Sequence, residues 1–188
     1  MMRRGFRRAI YAVGAASALL LGACTTHGSA ALQPLADGKE YANAEEHYTI
    51  AVPASWCTHP RYEGALFTHE TTAISLKNPH VFVRAETLPA PTGAADLLKA
   101  DLRQAQEDGS GFEVDEEHRG RVNGSDAAWT VGTTEGNVHE DKPELKHLIF
   151  VATAGKTVVR VLCAAPPSQF ERVRSTFEGI CGSLKITP

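Results

Sequence analysis

The chain has 188 residues, with 19 basic and 22 acidic side chains and a formal net charge of −3. That length suits one domain with one hydrophobic core, and the acid excess argues against a nucleic-acid partner, which needs a basic face. Eight histidines and four cysteines occur without H-E-x-x-H, H-x₃-H or C-x-x-C spacing, so no zinc-peptidase or dithiol signature is present.

Taken from the N-terminus, the first feature is Arg3, Arg4, Arg7 and Arg8, followed by an apolar or small-residue run from Ala9 to Leu21 broken only by Ser17. A positive n-region, a short apolar stretch and small residues before a cut are the parts of a secretory signal. The run of 13 residues is shorter than the roughly 20 that span a bilayer. It also lacks the polar face of a soluble core helix.

The end of the run is more specific. Leu21-Gly22-Ala23-Cys24 resembles the lipobox of bacterial lipoproteins: an aliphatic residue, two small residues and an obligatory cysteine. The resemblance implies that residues 1–23 are a cleaved signal peptide. It also implies a thioether-linked diacylglycerol on Cys24 and, in many bacteria, a further acyl chain on the new amine. A single acyl chain holds a protein only marginally, at about 0.8 kcal/mol per buried CH₂; two or three make a lasting anchor. Arg3-Arg4-Gly5-Phe6 resembles part of a twin-arginine motif, although arginine pairs are common in signals of the general secretory route. Thr25, where an inner-membrane retention signal would place Asp, points to the periplasmic leaflet of the outer membrane in a diderm. In a monoderm the same protein would sit on the outer face of the plasma membrane.

Processing before Cys24 would remove four arginines and no acids. That leaves 15 basic against 22 acidic side chains, a charge of −7, which also disfavours electrostatic docking on anionic lipid. Residues 24–46, rich in Ala, Gly, Ser and small polar side chains, read as the lipidated cysteine and a flexible tether. A globular domain is expected over 47–188.

Within that domain, alternation predicts a strand through Tyr48, Ile50 and Val52, ending at Pro53. "ALFTH", "TAISLK" and "HVFVRAETL" follow as strands, the last with Val81, Val83 and Ala85 on one face. A helix is predicted from Thr92, as cap, to Gly109, with Asp96 in its first turn and Leu98, Leu102 and Ala105 on its apolar side. Asn123-Gly124 predicts a hairpin between "EVDEEHRGRV" and "DAAWTVGTT", and Ala154-Gly155-Lys156 a second between "KHLIFVAT" and "TVVRVLCA". Ser168-x-x-Glu171 matches a capping box, after which Phe170, Val173, Phe177 and Ile180 recur at helical spacing. The fold class is therefore α+β, an antiparallel sheet of about seven strands with two packed helices.

The order of these elements carries a family resemblance. Val52-Pro53-Ala54-Ser55-Trp56 opens the domain, "LLKADLRQAQEDG" supplies the middle helix, and a strand through Cys163-Ala164-Ala165-Pro166 leads to the helix with Phe170 and Phe177, then Ile180 and Ser183-Leu184. This resembles the PsbP/DcrB-like α/β/α sandwich, including LpqN-type actinobacterial lipoproteins, over residues 47–187. It departs from that pattern at Ser55-Trp56-Cys57, where Gly-Trp is common. The resemblance implies an envelope or lumenal accessory domain, mostly without catalysis and with no catalytic set to transfer.

Three cysteines remain in the exported domain, enough for one disulfide in an oxidising compartment. If the last helix folds back along its strand, Cys163 and Cys181 lie at opposite ends, too far apart for partners that need Cα atoms within about 7 Å. The expected pair is therefore Cys57–Cys181, with Cys57–Cys163 as the alternative.

Catalytic signatures are absent. Cys57 and His59 lie near Pro53 and Pro60 without a basic neighbour or helix N-terminus to activate the thiol, and "NGSDA" lacks the G-x-S-x-G pattern. His69-Glu70 and His139-Glu140-Asp141 are tight His–carboxylate groups, and no metal or cofactor is expected. Glu113, Asp115, Glu116 and Glu117 crowd one strand; Glu135, Glu140, Asp141 and Glu144 crowd a loop that could meet a basic partner. The expected function is a lipid-anchored, non-catalytic envelope accessory protein that engages a protein or a small apolar ligand. An envelope enzyme with a loop-assembled site, or a small inhibitor acting through the 135–144 loop, are the alternatives. A shallow groove between helix and sheet would favour binding; a deep pocket lined by His, Ser or Cys with a carboxylate behind it would favour catalysis.

Overall fold

The computed structural model of the chain describes residues 32–59, 64–68, 77–109, 111–136 and 143–187. The lipobox residues Leu21, Gly22, Ala23 and Cys24 lie outside the described residues. So do His27, His69, His139, Glu140, Asp141 and nearly all of the strand expected over "TAISLK".

Two antiparallel sheets and two helices make up the rest. β1 (Gly38–Asn43), β2 (Tyr48–Pro53) and the two-residue β10 (Lys185–Ile186) form the smaller sheet, ordered β1-β2-β10. The larger holds β3 (Cys57–His59), β4 (Ala65–Thr68), β5 (His80–Thr87), β6 (Phe112–Val122), β7 (Ser125–Thr134), β8 (Leu145–Ala154) and β9 (Thr157–Ala165). Its seven strands run in the order β3-β4-β5-β9-β8-β7-β6. α1 (Ala94–Glu107) packs on one face of this sheet, the outer face here, and α2 (Pro167–Ser183) on the inner one. The α+β class and the seven-stranded antiparallel sheet match the sequence expectation.

The inner layer is the main core. Val81 and Val83 of β5, Val131 of β7, Leu148 and Phe150 of β8 and Val161 of β9 point into it, and each is at most 1% exposed. Phe170, Phe177 and Ile180 of α2 fill it from above, and Tyr48, Ile50 and Val52 of β2 close it. The helical stripe read from the sequence is thus sandwiched between two sheets, which is why it can be apolar on more than one side. Both predicted hairpins form. Asn123 (φ 47°) and Gly124 (φ 87°) take the left-handed conformations of a tight hairpin turn.

Several local details differ from the pattern-based reading. Neither helix uses its predicted cap. α1 starts after Gly93, and its first free amide, Ala94 N–H, donates to Asp126 Oδ2 of β7 at 2.9 Å. A carboxylate from the sheet does the work assigned to Thr92, whose hydroxyl instead donates to Ala90 O. α2 starts after Pro166 with Pro167 as its first residue, so Ser168 lies inside the helix and makes no capping bond. Proline needs no amide partner and its ring presets φ for the first turn.

The segment read as a tether also carries structure. β1 lies within 24–46 and pairs with β2 along its whole length, from Gly38↔Pro53 to Asn43↔Tyr48. Ahead of it, Leu35 N–H donates to Gly179 O of α2 at 3.1 Å, and a Cβ on Gly182 would stand 2.8 Å from Gln33 O. Glycine at 182 therefore lets the incoming chain lie directly on the end of the helix. That helix end is held from the other side by Asn123 Nδ2, which donates to Leu184 O at 2.8 Å and Gly182 O at 3.2 Å. Ser183 Oγ adds a third tie by accepting Ala51 N–H at 2.7 Å.

Candidate functional site

The outer face of the large sheet is only partly covered. Residues paired directly across antiparallel strands share a face, so the registers arrange it in rows. One row runs Leu66–Phe82–Leu162–Ile149 across β4, β5, β9 and β8. The next, toward the β4–β5 connection, runs Cys57–Thr68–His80–Ala164–His147–Gly132. The row on the other side holds Arg84, Arg160, Val151 and Ala128.

α1 lies over the β7–β8 side. Its Ala94, Leu98 and Leu102 pack on Ala128, Val151 and Val158 and leave Phe82, Ile149 and Leu162 half-buried. Between the helix edge and these side chains is a groove of about 390 Å³ with an apolar floor, walled by Gln104 and Ala105. Its charged rim is ordered. Arg160 donates from Nε to Asp101 Oδ2 at 2.6 Å, from Nη2 to Asp101 Oδ1 at 3.2 Å and from Nη1 to Glu86 Oε1. Burial works against the Arg160 charge, but the hydrogen bonds to Asp101 and Glu86 outweigh it and hold its pKa above the ordinary value. Because Asp101 belongs to α1 and Arg160 to β9, this pair sets the width of the groove mouth.

In the neighbouring row two imidazoles, His80 and His147, stand on either side of Ala164, each 8% exposed. His80 Nδ1–H donates to Asn78 O at 2.9 Å, and His147 Nε2 is bonded to Thr134 Oγ1 at 2.9 Å. His147 Nδ1 is buried without a protein partner. Burial lowers the pKa of His80; burial, with His80 as a second cause, pushes His147 down to about 4. Both rings are therefore neutral at pH 7.

The residues singled out from sequence are dispersed. Cys57 faces Thr68 on the outer face, and His59 Nε2 bonds to Thr68 Oγ1 at 2.8 Å, so its ring is directed to a hydroxyl rather than to the thiol. Glu135 and Glu144 are exposed at the two ends of the loop whose Glu140 and Asp141 lie outside the described residues. The acidic strand is β6. There Glu116 accepts from Arg174 Nη1 and Nη2 at 2.8 and 2.7 Å, and this pairing pulls its pKa down to about 2. Asp115 lies 3.5 Å from Lys146 Nζ. These carboxylates stitch α2 and β8 to an edge strand. Among the described residues, no cluster of three or more His, Cys, Asp or Glu could hold a metal ion, and no helix is long and apolar enough to cross a membrane.

The cysteine expectation changes most. Cys57, Cys163 and Cys181 are all free thiols. Cys57 lies on the outer face, whereas Cys163 and Cys181 are buried in the inner core, so the sheet stands between Cys57 and either proposed partner. Cys163 and Cys181 instead belong to one buried core cluster. α2 packs on β8 and β2 as well as β9.

The groove residues Phe82, Ile149 and Leu162 were not singled out from sequence. Their signal was present: β5, β8 and β9 are apolar at positions off the core-facing period. That pattern means either a second covered face or exposed apolar surface.

This fold is shared with solved structures. Cyanobacterial PsbP (CyanoP) from Synechocystis matches with a TM-score of 0.59 at 15% identity, over 88% of this chain and 98% of that one. LpqN of Mycobacterium tuberculosis, described as involved in cell envelope biogenesis, matches with a TM-score of 0.58 at 14% identity, over 80% and 86% of the two chains. The Ran-binding protein Mog1p of Saccharomyces cerevisiae matches with a TM-score of 0.56 at 10% identity, over 79% and 95%. No protein-family profile and no curated protein sequence matches the chain. The architecture is a PsbP-like α+β sandwich.

Proposed function

We propose that the chain is a lipid-anchored, non-catalytic accessory protein of the bacterial cell envelope that takes a small apolar ligand between α1 and the large sheet. The observation that carries the binding half is the groove floored by Phe82, Leu162 and Ile149. Its volume is of the order of small-molecule sites, which run from about 300 to 1,000 Å³. At its rim the Arg160 charge is taken up by Asp101 and Glu86, which suits the groove to an apolar body rather than an acidic head.

The anchor half rests on the sequence: a signal over 1–23, an acylated Cys24 and a short link to the docked segment at Leu32. The fold shared with LpqN is in keeping with an envelope setting.

Each half has its own test. Titration of the full chain with N-phenylnaphthylamine, an apolar dye that brightens out of water, should give saturable binding that Leu162→Asp abolishes. No saturable binding, or binding indifferent to Leu162→Asp, overturns the groove. Cys24→Ser should move the protein from the membrane to the soluble fraction; a variant that stays membrane-bound after a high-salt wash overturns the lipid anchor.

A further inference from the structure

The 11 residues of β6 form one border of the large sheet. β7 pairs with one side of the strand, and among the described residues no strand pairs with the other. β6 and β7 join at the two-residue turn Asn123-Gly124, where the closing pair Val122 and Ser125 exchanges hydrogen bonds. Alternate pairs repeat this along the ladder. Residues 118, 120 and 122 therefore turn their backbone groups to β7, while the amides and carbonyls of Glu117, Arg119 and Arg121 point to the open side. The side chains of those three are exposed and share the outer face with their partners Thr130, Ala128 and Asp126.

Sheet edges are commonly protected by charge and by bulges. β6 has both, but in a self-complementary order. It is acidic at Glu113, Asp115, Glu116 and Glu117 and basic at Arg119 and Arg121, so the strand reversed on itself sets acid against base. We propose that two copies of this chain pair antiparallel along β6, with Glu117 of each opposite Arg119 of the other, and so join their large sheets into one. The twofold axis passes through His118. Backbone phase and side-chain face allow only slips of two residues, and these set Arg119 against the partner's Arg119 or Glu117 against the partner's Glu117. Like charges directly opposite are destabilising, so charge selects the one register. The bulge between Val114 and Glu116 ends the matched run at residues 116–120, about the length of an ordinary strand. Among the described residues neither Glu117 nor Arg119 has an ion-pair partner within its own chain.

The test uses the full chain in non-ionic detergent, oxidised with copper phenanthroline and mapped by mass spectrometry. His118→Cys should give dimers linked between the two 118 positions, because a pair without mutual hydrogen bonds holds its Cα atoms about 4.5 Å apart, within disulfide reach. Gly120→Cys, which faces the partner's Glu116, should not link to itself. Adding Glu117→Arg or Arg119→Glu to His118→Cys should each abolish the link. Mixing those two chains should restore it, since each supplies the charge that the other lacks. No link at 118, a link indifferent to either reversal, or no recovery on mixing overturns the pairing. The unsubstituted chain gives an independent reading. Hydrogen exchange at the Glu117 and Arg119 amides should slow as protein concentration rises, and exchange that is the same at every concentration overturns it.

Discussion

The two faces of the seven-stranded sheet are built to different standards. The inner face is sealed by α2 and by β2, and aromatic rings meet there edge to face or tilted: Phe170 and Phe177 at 5.9 Å, Trp56 and Phe177 at 6.4 Å, Tyr41 and Phe67 at 5.1 Å. The outer face has one helix, placed to one side, and leaves three large apolar side chains half-buried. Burial stabilises in proportion to apolar area removed from water, so the inner face carries the stability. The outer face retains unburied apolar surface for something else to cover.

Substitutions should separate the faces. Phe177→Ala, which empties part of the sealed layer, should cost about 3–5 kcal/mol in denaturant melts; a cost below that of an ordinary surface change would mean that the inner layer is loose. The histidine row should make the outer face acid-sensitive. The folded pKa of His147 is depressed to about 4, so between its ordinary value and that pH the unfolded chain takes up a proton that the folded protein does not. Stability therefore falls as pH falls through that window, by on the order of 3 kcal/mol from His147 alone. His80 acts in the same direction. His147→Gln should flatten the curve of stability against pH; an unchanged slope would mean that this ring already titrates normally.

Asp126→Ala removes the carboxylate that caps α1 and should cost about 1 kcal/mol, while Ser168→Ala, inside α2 without a capping bond, should be close to neutral. The reverse ranking would restore the cap assignments read from sequence. Leu162→Asp should have the smallest effect on stability of the large apolar changes, within about 1 kcal/mol, because its side chain already meets solvent.

How much of this was legible in the sequence follows from which forces are local. Period-two alternation placed β2 and β5, the hairpin turns at Asn123-Gly124 and Ala154-Gly155-Lys156 placed β6 to β9, and the stripe through Phe170, Phe177 and Ile180 placed α2, because all of these patterns are written along the chain. β1 was missed because "GKEYAN" has little periodicity of its own. Pairing with β2, not propensity, makes it a strand. The Asp126 cap joins residues 32 apart in sequence, and no local motif announces it. The same holds for the cysteines. That Cys57 faces outward depends on its pairing with Thr68, and that Cys163 and Cys181 share the inner core depends on how α2 packs on the sheet. The groove lay between the two cases: its floor residues are off-period apolar positions that the reading passed over, and their incomplete cover depends on where α1 docks.

The central claim is that binding belongs to the outer face alone. Methyl-resolved NMR of the full chain titrated with N-phenylnaphthylamine tests it directly. Shifts should be confined to Ile149, Leu162 and Ala105, with Ile50, Ile180 and Leu184 of the inner layer unmoved. Shifts centred on those inner methyls, or none at saturating dye, would contradict the account.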